Sequence, residues 1–278
     1  MTDLNNIVKI LDNDNLSYAI KPLAQGIGGI FQFVFQKPIK YGIAKNAELE
    51  SLAKSLQSNL EEIPSDNRTD ANIGLAGKVI EDSIYKLSEE TLREYFAKLI
   101  AKCFDDRYEV HPRYSELLKS MSGEDAKLLQ LFYDKQVIIK GNIKFKTPLV
   151  NENENRFFNY TPERFFVYKE KMDSYISRDY DSSVRQSYFL DKTEEIYIEK
   201  PFMTLDNLGL IQVAKDKQWT PVTPSVNHIL QKQDLRELAS IPSGLKSMPL
   251  DTFTREEIIV DSYELNSIGY DLASIVCS

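Results

Sequence analysis

The stretch that decides the fold is residues 72–132, NIGLAGKVIEDSIYKLSEETLREYFAKLIAKCFDDRYEVHPRYSELLKSMSGEDAKLLQLF. It reads as a succession of amphipathic helices with marked starts. Leu92, Phe96, Leu99, Ile100 and Cys103 recur at helical spacing on one face, while Glu94, Lys98 and Lys102 line the other. Ser88 stands where it can accept the free amides of that helix start, with Glu89 and Glu90 in the first turn, near the positive end of the helix dipole. Upstream, Leu75, Val79, Ile80, Ile84 and Leu87 mark a second stripe. Leu49, Leu52, Ala53, Leu56, Leu60 and Ile63 mark a third, which Pro64 ends. Pro112 suits a first helical turn after His111, and Ser122 followed by Asp125 is a capping pair for the helix that carries Leu128, Leu129 and Phe132. Helices that are each apolar on one side need one another for cover, so the block is expected to share one core.

The order of these pieces resembles the abortive-infection alpha family, in which an LAG helix start precedes a helix of the form ELREMFANLLA, then VHP, then LSPDEAKLL. The matching residues are Leu75-Ala76-Gly77, the helix from Thr91 to Ala101, Val110-His111-Pro112, and the run from Met121 to Leu129. The resemblance implies a soluble bacterial protein linked to defence against phage, with no established chemistry.

A second pattern lies downstream. Leu205-Asp206-Asn207-Leu208-Gly209-Leu210-Ile211 and, much later, Tyr263-Glu264-Leu265-Asn266-Ser267-Ile268-Gly269-Tyr270-Asp271-Leu272 look like a winged helix. In that pattern a helix ending in LGLI leads into a two-stranded wing and then YxLTxxGxxF. The same arrangement, with a cysteine like Cys277 near its end, is found in the abortive-infection alpha family. Gly209 would supply the left-handed helix stop, and 210–213 a strand to which 258–260 and 263–265 return. Asn266 would cap the last helix, and Pro201 would open the helix in the reading position.

Composition sets the outer limits. With 278 residues, 42% hydrophobic and 27% charged, the chain is long enough for two units with real cores. Its formal net charge of -8 gives no bulk attraction to nucleic acid or anionic membrane, so such contacts would need a local basic patch. Cys103 and Cys277 are the only cysteines, and no charged-then-apolar leader opens the sequence, which points to the reducing cytoplasm. The Asn67-Arg68-Thr69 sequon then carries no meaning.

The expected fold is α+β and mainly α, with a helical N-terminal half followed by a winged-helix-like C-terminal half. Residues 1–44 form an apolar, amphipathic N-terminal segment, 45–136 a helical domain, and 137–278 the winged-helix-like domain. The last carries an insertion at about 147–191, rich in aromatics such as Phe157, Phe158, Phe165, Phe166 and Tyr168. So many aromatics argue for an ordered insertion that packs or presents a binding face.

Three sets of residues are candidates for contact. Lys200, Thr204 and Asn207 on the reading helix, with Lys215, Lys217 and Trp219 beyond it, are the candidate nucleic-acid contacts. That helix offers few cations, the expected wing is acidic through Glu256, Glu257 and Asp261, and Lys140, Lys144 and Lys146 suit a solvated sheet edge. In segment 22–36, Leu23, Ile27, Ile30, Phe31 and Val34 share a helical face. The run is too short to span a bilayer, which leaves packing against the central helices, a subunit interface or an interfacial membrane contact.

Catalysis finds no motif. GxxxxGK[ST], GxSxG and HExxH are all missing, and His111, His228 and two distant cysteines suggest neither a metal nor a cofactor site. His111, before a helix-starting proline, is read as a loop or cap hydrogen-bonder, and Asp105-Asp106 beside Arg107 and Glu109 as solvated charge. The reading is a non-catalytic antiphage defence protein that works through a protein partner or self-association. Its alternatives are a winged-helix nucleic-acid-binding regulator and a membrane-active effector that uses segment 22–36.

Overall fold

The computed structural model describes residues 21–40, 45–134, 137–146, 163–168, 193–214 and 254–278. Among them run α1 (Lys21–Lys40), α2 (Asn46–Glu61), α3 (Ile73–Ser83), α4 (Glu90–Lys102), α5 (Arg113–Ser120), α6 (Gly123–Tyr133), β1 (Val137–Lys146), β2 (Glu163–Tyr168), β3 (Thr193–Ile196), α7 (Glu199–Asn207), β4 (Ile211–Val213), β5 (Thr254–Leu265) and α8 (Ser267–Val276). The fold is therefore α+β and mainly helical. It divides into two compact units, Met1–Tyr133 with Ser267–Ser278, and Asp134–Asn266.

In the helical unit α4 is the hub, packed by α2, α3, α5, α6 and α8. The stripe expected from spacing is buried, and Tyr95, Ala97 and Ala101 are buried as well. A helix enclosed by five neighbours has almost no outer face, so one stripe understates what it buries. Leu49, Leu52, Ala53, Leu56 and Leu60 give α2 its buried side, and Leu128, Leu129 and Phe132 do so for α6. On α3 the apolar stripe through Val79 and Ile80 continues into two buried polar residues, Asp82 and Ser83.

Two helix starts deserve comparison. Ser122 and Asp125 form the expected reciprocal cap on α6: the Ser122 N–H and Oγ donate to Asp125 Oδ2 at 2.7 and 2.8 Å, and the Asp125 N–H returns to Ser122 Oγ at 3.3 Å. The α4 start departs from expectation. Its N-cap is Glu89, one residue past Ser88, and makes no side-chain cap bond. The Glu89 carboxylate instead accepts the Gly123 N–H at the α6 start and pairs with Lys86. A carboxylate reaches across to a neighbouring helix's free amide where a short serine side chain could not.

α8 belongs with the helical unit, whereas the sequence had grouped it with residues 137–278. Its buried Leu272, Ala273, Ile275 and Val276 supply an apolar face, and it packs on α4 and α6. Lys98 Nζ donates to the Ser278 carbonyl at 2.6 Å, and Cys277 Sγ lies 3.3 Å from Tyr95 Oη.

The second unit is built on a five-stranded antiparallel sheet in the order β3-β2-β1-β5-β4. The expected pairing of 210–213 with the returning strand is present, with Ile211 opposite Leu265, Gln212 opposite Glu264 and Val213 opposite Tyr263. The sheet is larger than the strand pair read from sequence, because Ile258, Ile259 and Val260 pair with Ile143, Asn142 and Gly141 of β1. β2, ERFFVY, comes from inside the aromatic-rich insertion. The rest of 147–191 lies outside the described residues.

α7 opens at Glu199, two residues ahead of Pro201, and ends as expected at Gly209, whose φ of 66° is left-handed. The Leu210 N–H reaches the Leu205 carbonyl at 3.0 Å and the Gly209 N–H the Asp206 carbonyl at 2.9 Å, while Leu205 and Leu210 are both fully buried. These bonds and that apolar pair make a Schellman stop, which turns the chain directly into β4. The Asn266 side-chain amide donates to the Gly209 carbonyl at 2.8 Å and so ties the end of β5 to this turn.

Candidate functional site

α7 carries the described part of the candidate nucleic-acid surface. Lys200, Met203, Thr204 and Asn207 fall at helical spacing on one side, opposite the buried Phe202 and Leu205. Phe202 is held edge-on to Tyr263, with ring centroids 4.8 Å apart, and Lys140 Nζ lies 5.8 Å from the Phe202 centroid. Thr204 Oγ1 donates back to the Lys200 carbonyl at 3.1 Å, which occupies its hydroxyl within the helix. Lys200 and Asn207 are exposed, flanked by the exposed Glu199 and Asp206. Lys215, Lys217 and Trp219 lie outside the described residues.

Large apolar side chains are exposed on α7 and on the elements beside it. Tyr197, two residues before α7, is 94% exposed, Met203 on its outer side 55% and Val213 on β4 52%. The sequence reading looked there for cations and passed over them. A methionine at i+3 from Lys200, with phenylalanine and leucine already turned inward, was the available signal.

The N-terminal candidates are placed differently. Ile27 and Phe31 are fully buried, Ile30 and Val34 half-buried, and α1 packs on α3. The Leu23 side chain lies outside the described residues. The two helices meet at ordinary van der Waals distance: a β-carbon on Gly77 would stand 3.8 Å from Ile30 Cγ2, and one on Gly26 3.5 Å from Ile73 Cδ1. Among the described residues no helix is long and apolar enough to cross a membrane.

A polar cluster between α3 and α5 went unread in the sequence. Ser115 Oγ donates to Asp82 Oδ2 at 2.7 Å, Lys119 Nζ to Asp82 Oδ1 at 2.9 Å, and Lys78 Nζ to Asp82 Oδ2 and Ser115 Oγ, each at 3.1 Å. Lys78 also pairs with Glu116 at 3.0 Å. A serine beside a lysine is the geometry of a Ser–Lys nucleophile pair, but that chemistry needs a neutral lysine to take the serine proton. Burial pulls the Lys78 pKa down, and hydrogen bonds and charges from Glu116 and Asp82 outweigh it, so the net shift is upward and the ammonium persists. Ser115 is 1% exposed. The cluster is a clamp. Its signal was two i,i+4 pairs, Lys78 with Asp82 and Ser115 with Lys119, on helices separated in sequence by α4.

Asp105 and Asp106 are bound locally, and Asp105 is not the solvated charge expected of it. Asp105 is buried and receives Arg107 Nε and Nη2 at 2.8 and 2.7 Å, with Lys102 3.7 Å away. The Asn67 side chain donates to Asp106 at 3.0 Å. His111 Nδ1 accepts the Arg113 N–H at 3.1 Å and so caps α5. Burial pushes the Cys103 thiol up to about 12, far from a reactive thiolate. Among the described residues no group of three or more histidine, cysteine or acidic side chains is placed to hold a metal ion.

No curated protein and no solved structure gives a significant match to the chain. A family model, abortive infection alpha, matches residues 44–276, from just ahead of α2 to the end of α8. That span takes in the helical hub, its capped neighbours and the sheet-bearing unit, so the chain belongs to the abortive infection alpha family.

Proposed function

We propose that this protein serves abortive infection of phage-infected bacteria by binding a protein partner in the cytoplasm, without catalytic chemistry of its own, and that the partner meets the outer side of α7. The observation that supports this is the make-up of that surface. Met203 exposes apolar area on α7 and Tyr197 does so two residues ahead of it, while α7 contributes one cation, Lys200, beside the exposed Glu199 and Asp206. Aromatic and methionine side chains are favoured at the centres of protein interfaces, whereas a phosphate-reading surface needs several lysines or arginines. The test is Tyr197→Ala with Met203→Glu at matched expression. Phage plating should rise toward that of unprotected cells while the melting temperature stays within about 1 °C, because exposed substitutions cost little stability. Undiminished protection would refute the reading.

A second reading is a nucleic-acid-binding winged helix. It draws on the sequence of α7, the Schellman turn and the antiparallel β4–β5 pair. On the proposed reading duplex DNA binds weakly and without sequence preference. A tight complex that weakens steeply with salt and is lost in Lys200→Ala with Lys215→Ala and Lys217→Ala would put the regulator first. The membrane-effector reading would require the α1 face that packs on α3 to become free.

A further inference from the structure

The helices of the helical unit are joined in two different ways. Directed polar bonds link α2 to α4 through Ser55 and Glu94, and α3 to α5 through Lys78, Asp82, Ser115 and Lys119. They also link α4 to α6 through Tyr95 Oη and the Ala126 carbonyl, and α4 to the α8 end through Lys98 and Ser278. Among the described residues no side-chain hydrogen bond or ion pair ties α1 to another element between Gly26 and Gln36. Between Gly26 and Gln36 its polar side chains are Gln32 and Gln36, both exposed. Its docking rests on Ile27, Ile30, Phe31 and Phe35, with Ile30 in van der Waals reach of Gly77.

Three further features set α1 apart. Gly26, Gly28 and Gly29 fall within four residues, and glycine is among the poorest helix formers, so the segment depends on its docking to stay helical. The family match begins at residue 44, after α1 has ended. Its outer side carries Phe33, 84% exposed, which gives the segment an apolar contact already facing away from the core.

We infer that α1 is a detachable strap, which opens from α3 while the polar-bonded helices stay folded and so uncovers the apolar side of α3 on which it rests. Non-directional apolar contact is what permits this. Contact of that kind, as between Gly26 and Gln36, leaves no unsatisfied donor or acceptor behind, whereas pulling α5 from α3 would take Ser115 and Lys119 from the Asp82 carboxylate. The strap stands independently of the α7 reading, since it concerns a different unit of the protein.

Hydrogen exchange on the full chain tests it, with a lock made by Ile30→Cys and Gly77→Cys. In the native protein α1 amides should exchange at least roughly a hundredfold faster than those of α4, and with little denaturant dependence, the mark of local opening. Oxidising the cysteine pair should bring α1 toward the α4 rate, and reduction should restore the difference. Exchange of α1 in step with α4 in the native chain, or an oxidised lock that leaves α1 unchanged, would overturn the strap. If no disulfide forms, the native-chain comparison decides alone.

Discussion

Ser115 Oγ lies 2.7 Å from Asp82 Oδ2, and this one bond places the hydroxyl of α5 against the carboxylate of α3 at a site where both residues are buried. The carboxylate is left with two lysines for its charge and one serine for its remaining hydrogen-bonding capacity. Asp82→Ala is therefore expected to lower stability by about 2–3 kcal/mol, since it leaves both lysines and the serine without their shared acceptor. Ser115→Ala should cost about 1 kcal/mol, because the lysines still neutralise Asp82. Urea denaturation of both variants checks the order. Equal losses would mean that the serine, not the charge, holds the clamp.

Acid should find two weak points together. Burial works to raise both Asp82 and Asp105, but hydrogen bonds from Lys119, Ser115 and Lys78 to the first, and from Arg107 to the second, outweigh it and hold both below the ordinary aspartate value. A carboxylate with a depressed folded pKa stabilises the fold fully above the unfolded value, about 3.9, and loses that contribution as pH falls through the folded one. Stability should thus drop as pH falls below about 4, and Asp82→Asn combined with Asp105→Asn should flatten that limb while lowering the plateau at neutral pH. Urea midpoints from pH 2 to 7 report both effects.

His111 gives a prediction about helix capping. Its Nδ1 accepts the Arg113 N–H, so His111→Ala should cost about 1 kcal/mol, and His111→Asn, whose side-chain oxygen can serve the same amide, should recover most of it. Phage protection at matched expression should be unchanged in both. Lost protection with unchanged melting in the asparagine variant would assign the imidazole a chemical role.

Gly29 stands in the middle of α1, exposed, with nothing within 4 Å of where a β-carbon would sit. Gly29→Ala should strengthen the helix by about 1 kcal/mol and slow α1 exchange by about fivefold, leaving α4 amides at their native rate. Mass-spectrometric exchange on peptides from the two helices separates the effects.

The helices and their ends were legible because their rules are local. The stripes of α2 and α4, the Ser122–Asp125 cap and the Gly209 stop each depend on residues within a turn or two of one another, and each appears in the structure. The five-stranded sheet was legible only in part. Pairing Lys140 with Phe165 on one side and with Asp261 on the other joins residues from distant parts of the chain, and no local pattern states such a choice. The Asp82 clamp escaped for a related reason. An aspartate in an amphipathic helix reads as surface until α5 is seen to cross it, and only then does its charge acquire partners. Around α7, reading for phosphate contacts drew attention to Lys200 and Asn207 and away from Met203, whose exposure depends on which side of the helix the sheet covers.

The position of α8 bears on the order in which the protein can be made. Lys98 meets Ser278 across 180 residues of sequence, and Tyr95 meets Cys277 across 182. A growing chain emerges N-terminus first and its domains tend to fold as units, so α4 leaves the ribosome long before the helix that completes its surroundings. The whole sheet-bearing unit is synthesised in the interval. Until then the side of α4 and α6 that receives Leu272, Ala273, Ile275 and Val276 has no native cover. A nascent chain paused within residues 134–266 would present that surface to chaperones, and completion of the hub waits until α8 has been made.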